Sequence, residues 1–359
     1  MNVIYTIFYP KLGNYISKDG DILKSLSKYS IKNLALKNRI VMAPMCMYSS
    51  DGKGIVKDFH RVHYGSKALG GVGLIIMEAT AVIPNGRISS GDLGIWSDDH
   101  IEGLRSVVNF VHTTDSKIGI QLAHAGRKSE SNDEYIVAPS PIRHSEQYKE
   151  PRKLSKEDIK SLVKSFTDAA IRAEKAGFDT IEIHAAHGYL IHEFLSPITN
   201  KRDDEYGGDI KNRTRFLKEI LESVRAVWPS EKPILVRVSA DDYKEEGIDK
   251  EEMVKIINEV KEHIDMVHVS SGGLIDVKFP VYPGYQVLHA EIIREKCEIP
   301  TIAVGLIDTY QQIEDILGNK RADLVAMGRA LLKDPNFVMN MAYKHDLEIN
   351  YTEQYKRGY

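Results

Sequence analysis

The sequence predicts a single α/β domain, a TIM-type (β/α)8 barrel with a long loop after its third strand and a C-terminal tail. Three observations predict it. Eight short apolar runs alternate with longer segments of helical period; no linker-like break divides the 359 residues; and polar or glycine residues fall just past the same end of every run. Strand–helix alternation demands parallel pairing through right-handed crossovers. Eight such units close on themselves, whereas a doubly wound sheet usually has fewer strands and a phosphate fingerprint near its start.

The elements follow in order. The first apolar run covers 39–44 and precedes a helix over 59–70. The second run, 74–78, leads to a helix over 98–114 that Ser97 or Asp98 is placed to cap. After the third run, 117–123, comes a connection over 126–153 rich in Ser, Pro, Asn and charge. Loops that long inside a compact domain tend to be lids or binding loops. Ser155 and Asp158 then have capping-box spacing, and Ile159, Leu162, Val163, Phe166, Ala170 and Ala173 share one helical face that ends at Gly177. Run four covers 180–184, followed by a helix over 211–227; run five covers 233–238, followed by a helix over 249–262; run six covers 265–269. Helices over 285–296 and 309–317 precede runs seven (301–304) and eight (323–327), and a last helix begins near Asp334 and Pro335. Residues 1–20 read as an N-terminal extension, expected to be poorly ordered, before a barrel over 21–359.

Composition removes other classes. Hydrophobic residues make up 42% and charged residues 28%, ordinary globular usage. With 48 basic and 51 acidic residues the net charge is −3, so no basic surface advertises nucleic acid or an anionic membrane. No run approaches the ~18 apolar residues of a bilayer span, and the first residues lack the basic start and cleavage site of a signal peptide. Two cysteines, Cys46 and Cys297, are too few for a zinc or iron–sulfur cluster and fit a reducing, cytoplasmic setting; no metal is expected.

Barrel enzymes carry their chemistry where strands end and loops begin. Those positions hold Met45, Cys46 and Tyr48; Ala79; Gln121 and His124; His184, His187 and Tyr189; Arg237; Ser270 to Gly273; Gly305; and Gly328 with Arg329. Two imidazoles and a phenol at i, i+3 and i+5 can converge on one cavity. They suit hydrogen-bond donation to a carbonyl or nitro oxygen that gains negative charge. A zinc motif is not formed, since His192-Glu193 is followed by Phe194-Leu195-Ser196. His60 and His63 fall inside a helix and read as structural. Gly305, Gly328 and Arg329 match the phosphate site that barrels build after strands seven and eight, although ordinary turns use the same residue types. Gly70-Gly71-x-Gly73 precedes a strand, the wrong order for a dinucleotide turn.

At these residues the sequence resembles the old yellow enzyme family of FMN-dependent NAD(P)H dehydrogenases, above all its bacterial NADPH dehydrogenase and xenobiotic reductase branch. The segments that carry the resemblance are Asn38-Arg-Ile-Val-Met-Ala-Pro-Met-Cys-Met-Tyr48, Gly94-Ile-Trp96, Gln121-Leu-Ala-His-Ala-Gly-Arg127, Glu182-Ile-His-Ala-Ala-His-Gly-Tyr189, Asp204-Glu-Tyr-Gly-Gly208, Gly328-Arg329 and Tyr355-Lys-Arg-Gly-Tyr359. The resemblance implies FMN at the barrel mouth, with NADPH or NADH as a transient co-substrate. Ala43, Pro44, Met45, Cys46 and Ala79 would line the isoalloxazine, Gln121 would bond its pyrimidine edge, Arg237 would face N1 and O2, and Gly305, Gly328 and Arg329 would hold the phosphate. It implies further that His184 and His187 polarise an α,β-unsaturated carbonyl or nitro compound, that Tyr189 protonates its α carbon, and that Tyr48 positions it. Arg357 would reach the pocket of a neighbouring subunit in a dimer or tetramer. Ala43 stands where relatives commonly carry Ser or Thr. Two alternatives stay open on the residues alone: a flavin-free aldolase or isomerase acting on a phosphorylated substrate, and a catalytically silent flavin-binding barrel.

Overall fold

The computed structural model describes residues 23–131, 135–345, 349 and 352–359, so the extension read at 1–20 lies outside the described residues. Eight parallel strands form the barrel: β1 (Ile40–Met42), β2 (Leu74–Ala81), β3 (Lys117–Ala123), β4 (Thr180–Ala185), β5 (Ile234–Ser239), β6 (Met266–Ser270), β7 (Thr301–Ala303) and β8 (Leu324–Met327). Each pairs with its neighbours in sequence order, and β1 pairs with both β2 and β8, which closes the sheet. The main helices follow their strands: α1 (Asp58–Leu69), α2 (Ile101–His112), α3 (Lys156–Ala176), α4 (Ile210–Arg225), α5 (Lys250–Val260), α6 (Val287–Cys297), α7 (Tyr310–Gly318) and α8 (Phe337–Lys344).

Both strand faces are buried, which explains the near-continuous apolar runs. Ile40 and Met42 point outward into the strand–helix core, whereas Val41 turns inward with Leu74, Ile76, Leu235, Met266, Ile302 and Leu324. At the crowded β3–β4 contact only glycine fits: a Cβ on Gly119 would stand 2.5 Å from Thr180 Cγ2.

The floor of the barrel is sealed by an element the sequence reading passed over. Residues Tyr29–Ile31 and Leu34–Leu36 form an antiparallel hairpin around Lys32, whose φ is +51°, and Leu34 and Leu36 join the inner apolar cluster. Three bonds fix it to the strands' N-terminal ends: Asn33 N to Glu231 O (3.0 Å), Lys32 Nζ to Asp265 Oδ1 (2.9 Å) and Lys37 Nζ to Thr114 O (2.8 Å). Its signal was the apolar alternation about the two-residue Lys32-Asn33 turn.

Elsewhere the differences are local. Ser97 accepts from Asp99 N in a short 3-10 turn, Asp98–His100, and α2 itself starts only at Ile101. The Ser155–Asp158 capping box forms, and α3 stops at Gly177 with φ +94°. Two short helices, Leu190–Leu195 and Arg329–Lys333, lie directly past β4 and β8. The long connection pairs Val137–Ala138 with Arg152–Lys153, and buried Arg127 pins its stem through Nη2 to Leu274 O at 2.7 Å. The tail turns over Glu353–Gly358, with Thr352 Oγ1 donating to Leu69 O and the Tyr359 hydroxyl donating to Asn340 Oδ1, both at 2.9 Å. Among the described residues no helix is long and apolar enough to cross a membrane.

If the hairpin is the floor, Leu36→Ala, at a side chain only 2% exposed, opens a void inside the barrel. The expected cost is about 2–5 kcal/mol in denaturant unfolding, against less than about 1 kcal/mol for alanine at exposed Leu332.

Candidate active site

Above the apolar floor the barrel interior turns polar at one level. β3, β4, β5 and β6 place Gln121 beside Glu182, and Arg237 between His184 and His268, in register. All five are buried. Gln121 Nε2 donates to Glu182 Oε1 at 2.7 Å, and His268 Nδ1 lies 2.8 Å from Glu182 Oε2. Burial alone would raise the Glu182 pKa, but His268, Arg237 and the Gln121 bond outweigh it and hold the carboxyl below its ordinary value. Burial lowers the pKa of His268, helped by Arg237, so this histidine is a neutral Nδ1–H donor.

His184 of this level meets two rings from the loop that follows β4, His187 at 5.3 Å and Tyr189 at 4.9 Å, both edge to face. The loop between them is tightly specified: His187 has φ +57°, and a Cβ on Gly188 would lie 2.4 Å from Gly273 O. Burial first, then Arg237, pushes both imidazoles well below their usual pKa, so both are neutral. Their tautomers follow from their neighbours. His184 Nδ1 accepts from Ala186 N at 3.3 Å, which leaves its proton on Nε2. His187 Nε2 lies 2.8 Å from Ser270 Oγ, and that oxygen accepts from Gln286 Nε2 at 3.1 Å. The Ser270 hydroxyl then donates its hydrogen bond to Nε2, which leaves the His187 proton on Nδ1. Burial raises the Tyr189 pKa far above normal, so the phenol keeps its proton. Lys128 sits 5.3 Å over the Tyr189 ring and holds His187 O at 3.0 Å and Gly273 O at 3.1 Å.

The loop after β1 forms the opposite wall. Ala43 is buried, and Pro44, Met45 and Cys46 are half-buried. The Cys46 thiol meets the Ala79 backbone and the Tyr48 hydroxyl, and burial raises its pKa well above that of a reactive thiol. Tyr48, with φ +52°, is 52% exposed at the rim, and burial of its hydroxyl pushes its pKa up to about 12. Behind this loop, buried Glu78 accepts from Met47 N and from the Tyr64 hydroxyl, each at 2.9 Å. His60 and His63 lie inside α1; His60 Nε2 is 3.7 Å from Glu78 Oε1, in a supporting position.

A cavity of about 530 Å3 opens between β5 and β8, lined by His187, Arg237, Tyr285, Gly305, Gly328 and Arg329. Gly305 has φ +129°, and a Cβ on Gly328 would meet Met45 Sδ at 3.3 Å. Both glycines leave backbone exposed for close approach. Arg237 Nε is buried without a partner. A buried unpaired guanidinium nitrogen is costly unless an electron-rich ligand completes it, and the adjoining cavity, with Arg329 and two glycines, suits a ligand that also carries a phosphate. These residues therefore fit FMN. The sequence-read residues are brought together except Arg357, which is exposed; the tail's contacts with Leu69, Tyr343 and Asn340 lie away from the mouth. The sequence reading missed Glu182, His268, Gln286, Lys128 and Glu78, and it placed Ser270 at a strand end without a role. Among the described residues no group of three or more His, Cys, Asp or Glu could hold a metal.

The class so defined is that of flavin-dependent oxidoreductase barrels. The sequence model of the NADH:flavin oxidoreductase / NADH oxidase family matches residues 29–348. The chain belongs to that family and is an FMN-dependent oxidoreductase, which sets aside the flavin-free alternative. An NADPH dehydrogenase of Clostridium acetobutylicum is 56% identical over 338 residues, 94% of this chain and 100% of that one. Morphinone reductase, solved with tetrahydroNAD, is 27% identical with a TM-score of 0.77, over 90% of this chain and 92% of the other. A 2-naphthoyl-CoA reductase shares the fold at 23% identity and a TM-score of 0.84; the chain spans about half of that longer protein, 52%.

Glu78 generates a pH test. Burial raises its pKa from 4.5 to about 7, against the bonds from Met47 and Tyr64. The folded carboxyl keeps its proton where the unfolded one has lost it, so its stabilisation is full below about pH 4.5 and is lost as pH rises to about 7. Glu78→Gln, which cannot titrate, should lack this decline, on the order of 3 kcal/mol. Urea midpoints of both proteins between pH 5 and pH 8 give the comparison; parallel curves would place the ionisation elsewhere.

Proposed function

We propose that the protein is an NADPH dehydrogenase of the ene-reductase kind, reducing the activated double bond of α,β-unsaturated carbonyl or nitro compounds. NADPH stands ahead of NADH because the relative at 56% identity over nearly the whole chain is named an NADPH dehydrogenase. The observation that carries the substrate class is the pair of neutral, differently protonated histidines beside a protonated phenol. Neutral N–H donors strengthen their bonds to an oxygen as it becomes negative, without holding an anion too tightly in the ground state.

The chemistry FMN supplies when bound is hydride transfer, from the nicotinamide and on to the β carbon of the alkene. Ala43, Pro44, Met45, Cys46 and Ala79 would line its ring, Gln121 and Arg237 its pyrimidine edge, and Gly305, Gly328 and Arg329 its phosphate. His184 through Nε2–H and His187 through Nδ1–H bind the carbonyl or nitro oxygen and draw electron density from the β carbon, which makes it electrophilic. Tyr189, held under Lys128, gives its phenolic proton to that α carbon. Tyr48 positions the substrate at the rim, and the apolar floor keeps bulk water from the donors. Both cysteines are free, in keeping with a cytoplasmic setting.

The exposed Arg357 acts in the same reading on a second chain. Its own mouth is out of reach of the tail's anchors, so the guanidinium would complete the substrate pocket of a partner in a homodimer or tetramer.

With 2-cyclohexenone and NADPH, His184→Ala should lose about 10²–10³ in turnover while retaining FMN. Mixing that variant with a chain lacking 357–359 should recover activity, because some hybrids hold one intact pocket. Wild-type turnover by His184→Ala would refute the histidine assignment, and a mixture no better than its parts would refute the shared pocket.

A further inference from the structure

The polar layer beneath the mouth contains one full negative charge that the reaction does not use. Glu182 is completely buried on β4, with Gln121 on one carboxylate oxygen and His268 on the other. A carboxylate can only accept, so the Gln121 group facing it must be the NH2 end at 2.7 Å. The Gln121 carbonyl oxygen is thereby turned from Glu182. Glu182 is also the strongest opposing charge on Arg237, whose Nε has no partner of its own.

We propose that Glu182 is a positioning residue for the flavin: it locks Gln121 with its acceptor toward the mouth and offsets the Arg237 charge, keeping the bound cofactor's reduction potential low. The inference rests on the FMN reading above. The isoalloxazine pyrimidine edge carries a single N–H, at N3, between two carbonyl oxygens. An amide free to turn could address either kind of group; one held by Glu182 selects N3–H. His268, neutral and donating through Nδ1, fixes the carboxylate without cancelling its charge. Arg237 alone would favour the anionic reduced flavin strongly; with Glu182 beside it the positive field is moderated, and the reduced cofactor parts more readily with its hydride.

The test uses the holoenzyme and needs no turnover. Glu182→Gln keeps the shape and removes the charge. Its midpoint potential, from anaerobic titration with reference dyes, should rise by at least about 30 mV, a tenfold gain in the reduced form of a two-electron couple. In wild-type protein loaded with 15N3-labelled FMN, the N3 proton should exchange with water more slowly than in free FMN, and faster again in Glu182→Gln. Should that variant fail to fold, the wild-type exchange rate still decides the amide orientation. An unchanged potential in a folded Glu182→Gln holoenzyme, or an N3 proton exchanging as in free FMN, would overturn the inference while leaving the functional reading intact. Wild-type protein unable to take up FMN would overturn both.

Discussion

Buried charge without bulk water is the constraint on which the rest of the structure depends. Glu182, Arg237, His184 and His268 lie in a barrel interior where an uncompensated ion would cost several kcal/mol. The floor beneath them is apolar on every strand that contributes a large side chain, and Leu34 and Leu36 of the hairpin close it from below. Water is thus kept from entering along the barrel axis, and the polar layer must satisfy itself internally or through a ligand. Glu182 is satisfied by Gln121 and His268; Arg237 is left with a free nitrogen at the mouth.

The protonation states at the mouth follow from the same dryness. Both histidines are neutral because burial and the nearby Arg237 disfavour a second cation. Tyr189 keeps its proton because its anion would be desolvated. Cys46 stays a thiol for the same reason, next to Ala79 and Tyr48 with no base to activate it. A single environment therefore turns two imidazoles into donors, a phenol into an acid and a thiol into a bystander. Loops fix the directions: the Ala186 amide sets one tautomer, and the Ser270–Gln286 pair sets the other.

Much of this was legible in the sequence because a parallel barrel obeys local rules. Strands buried on both faces give apolar runs, helices give their period, and parallel order sends every strand's C-terminal end to one mouth. His184, Arg237 and Gln121 could be grouped on that ground alone. Glu182 could not: within Thr180–Ala185 it reads as one polar position, and its partners are 61 and 86 residues away. Gln286 was hidden likewise, and Ser270 could be placed at a strand end but not tied to His187, a contact 83 residues long. The hairpin was local but short, and its residues were assigned to no element of the barrel. Arg357 came from resemblance alone, and one chain's geometry supplies no partner for it.

The central claim is that this mouth is built around FMN. The most direct measurement is the flavin content of the purified protein: release by denaturation, identification by chromatography, and titration of the stripped chain with FMN. The account predicts a yellow protein that releases FMN unmodified and rebinds one per chain, with Arg237→Ala binding it more weakly. A colourless protein that cannot be reconstituted would contradict it.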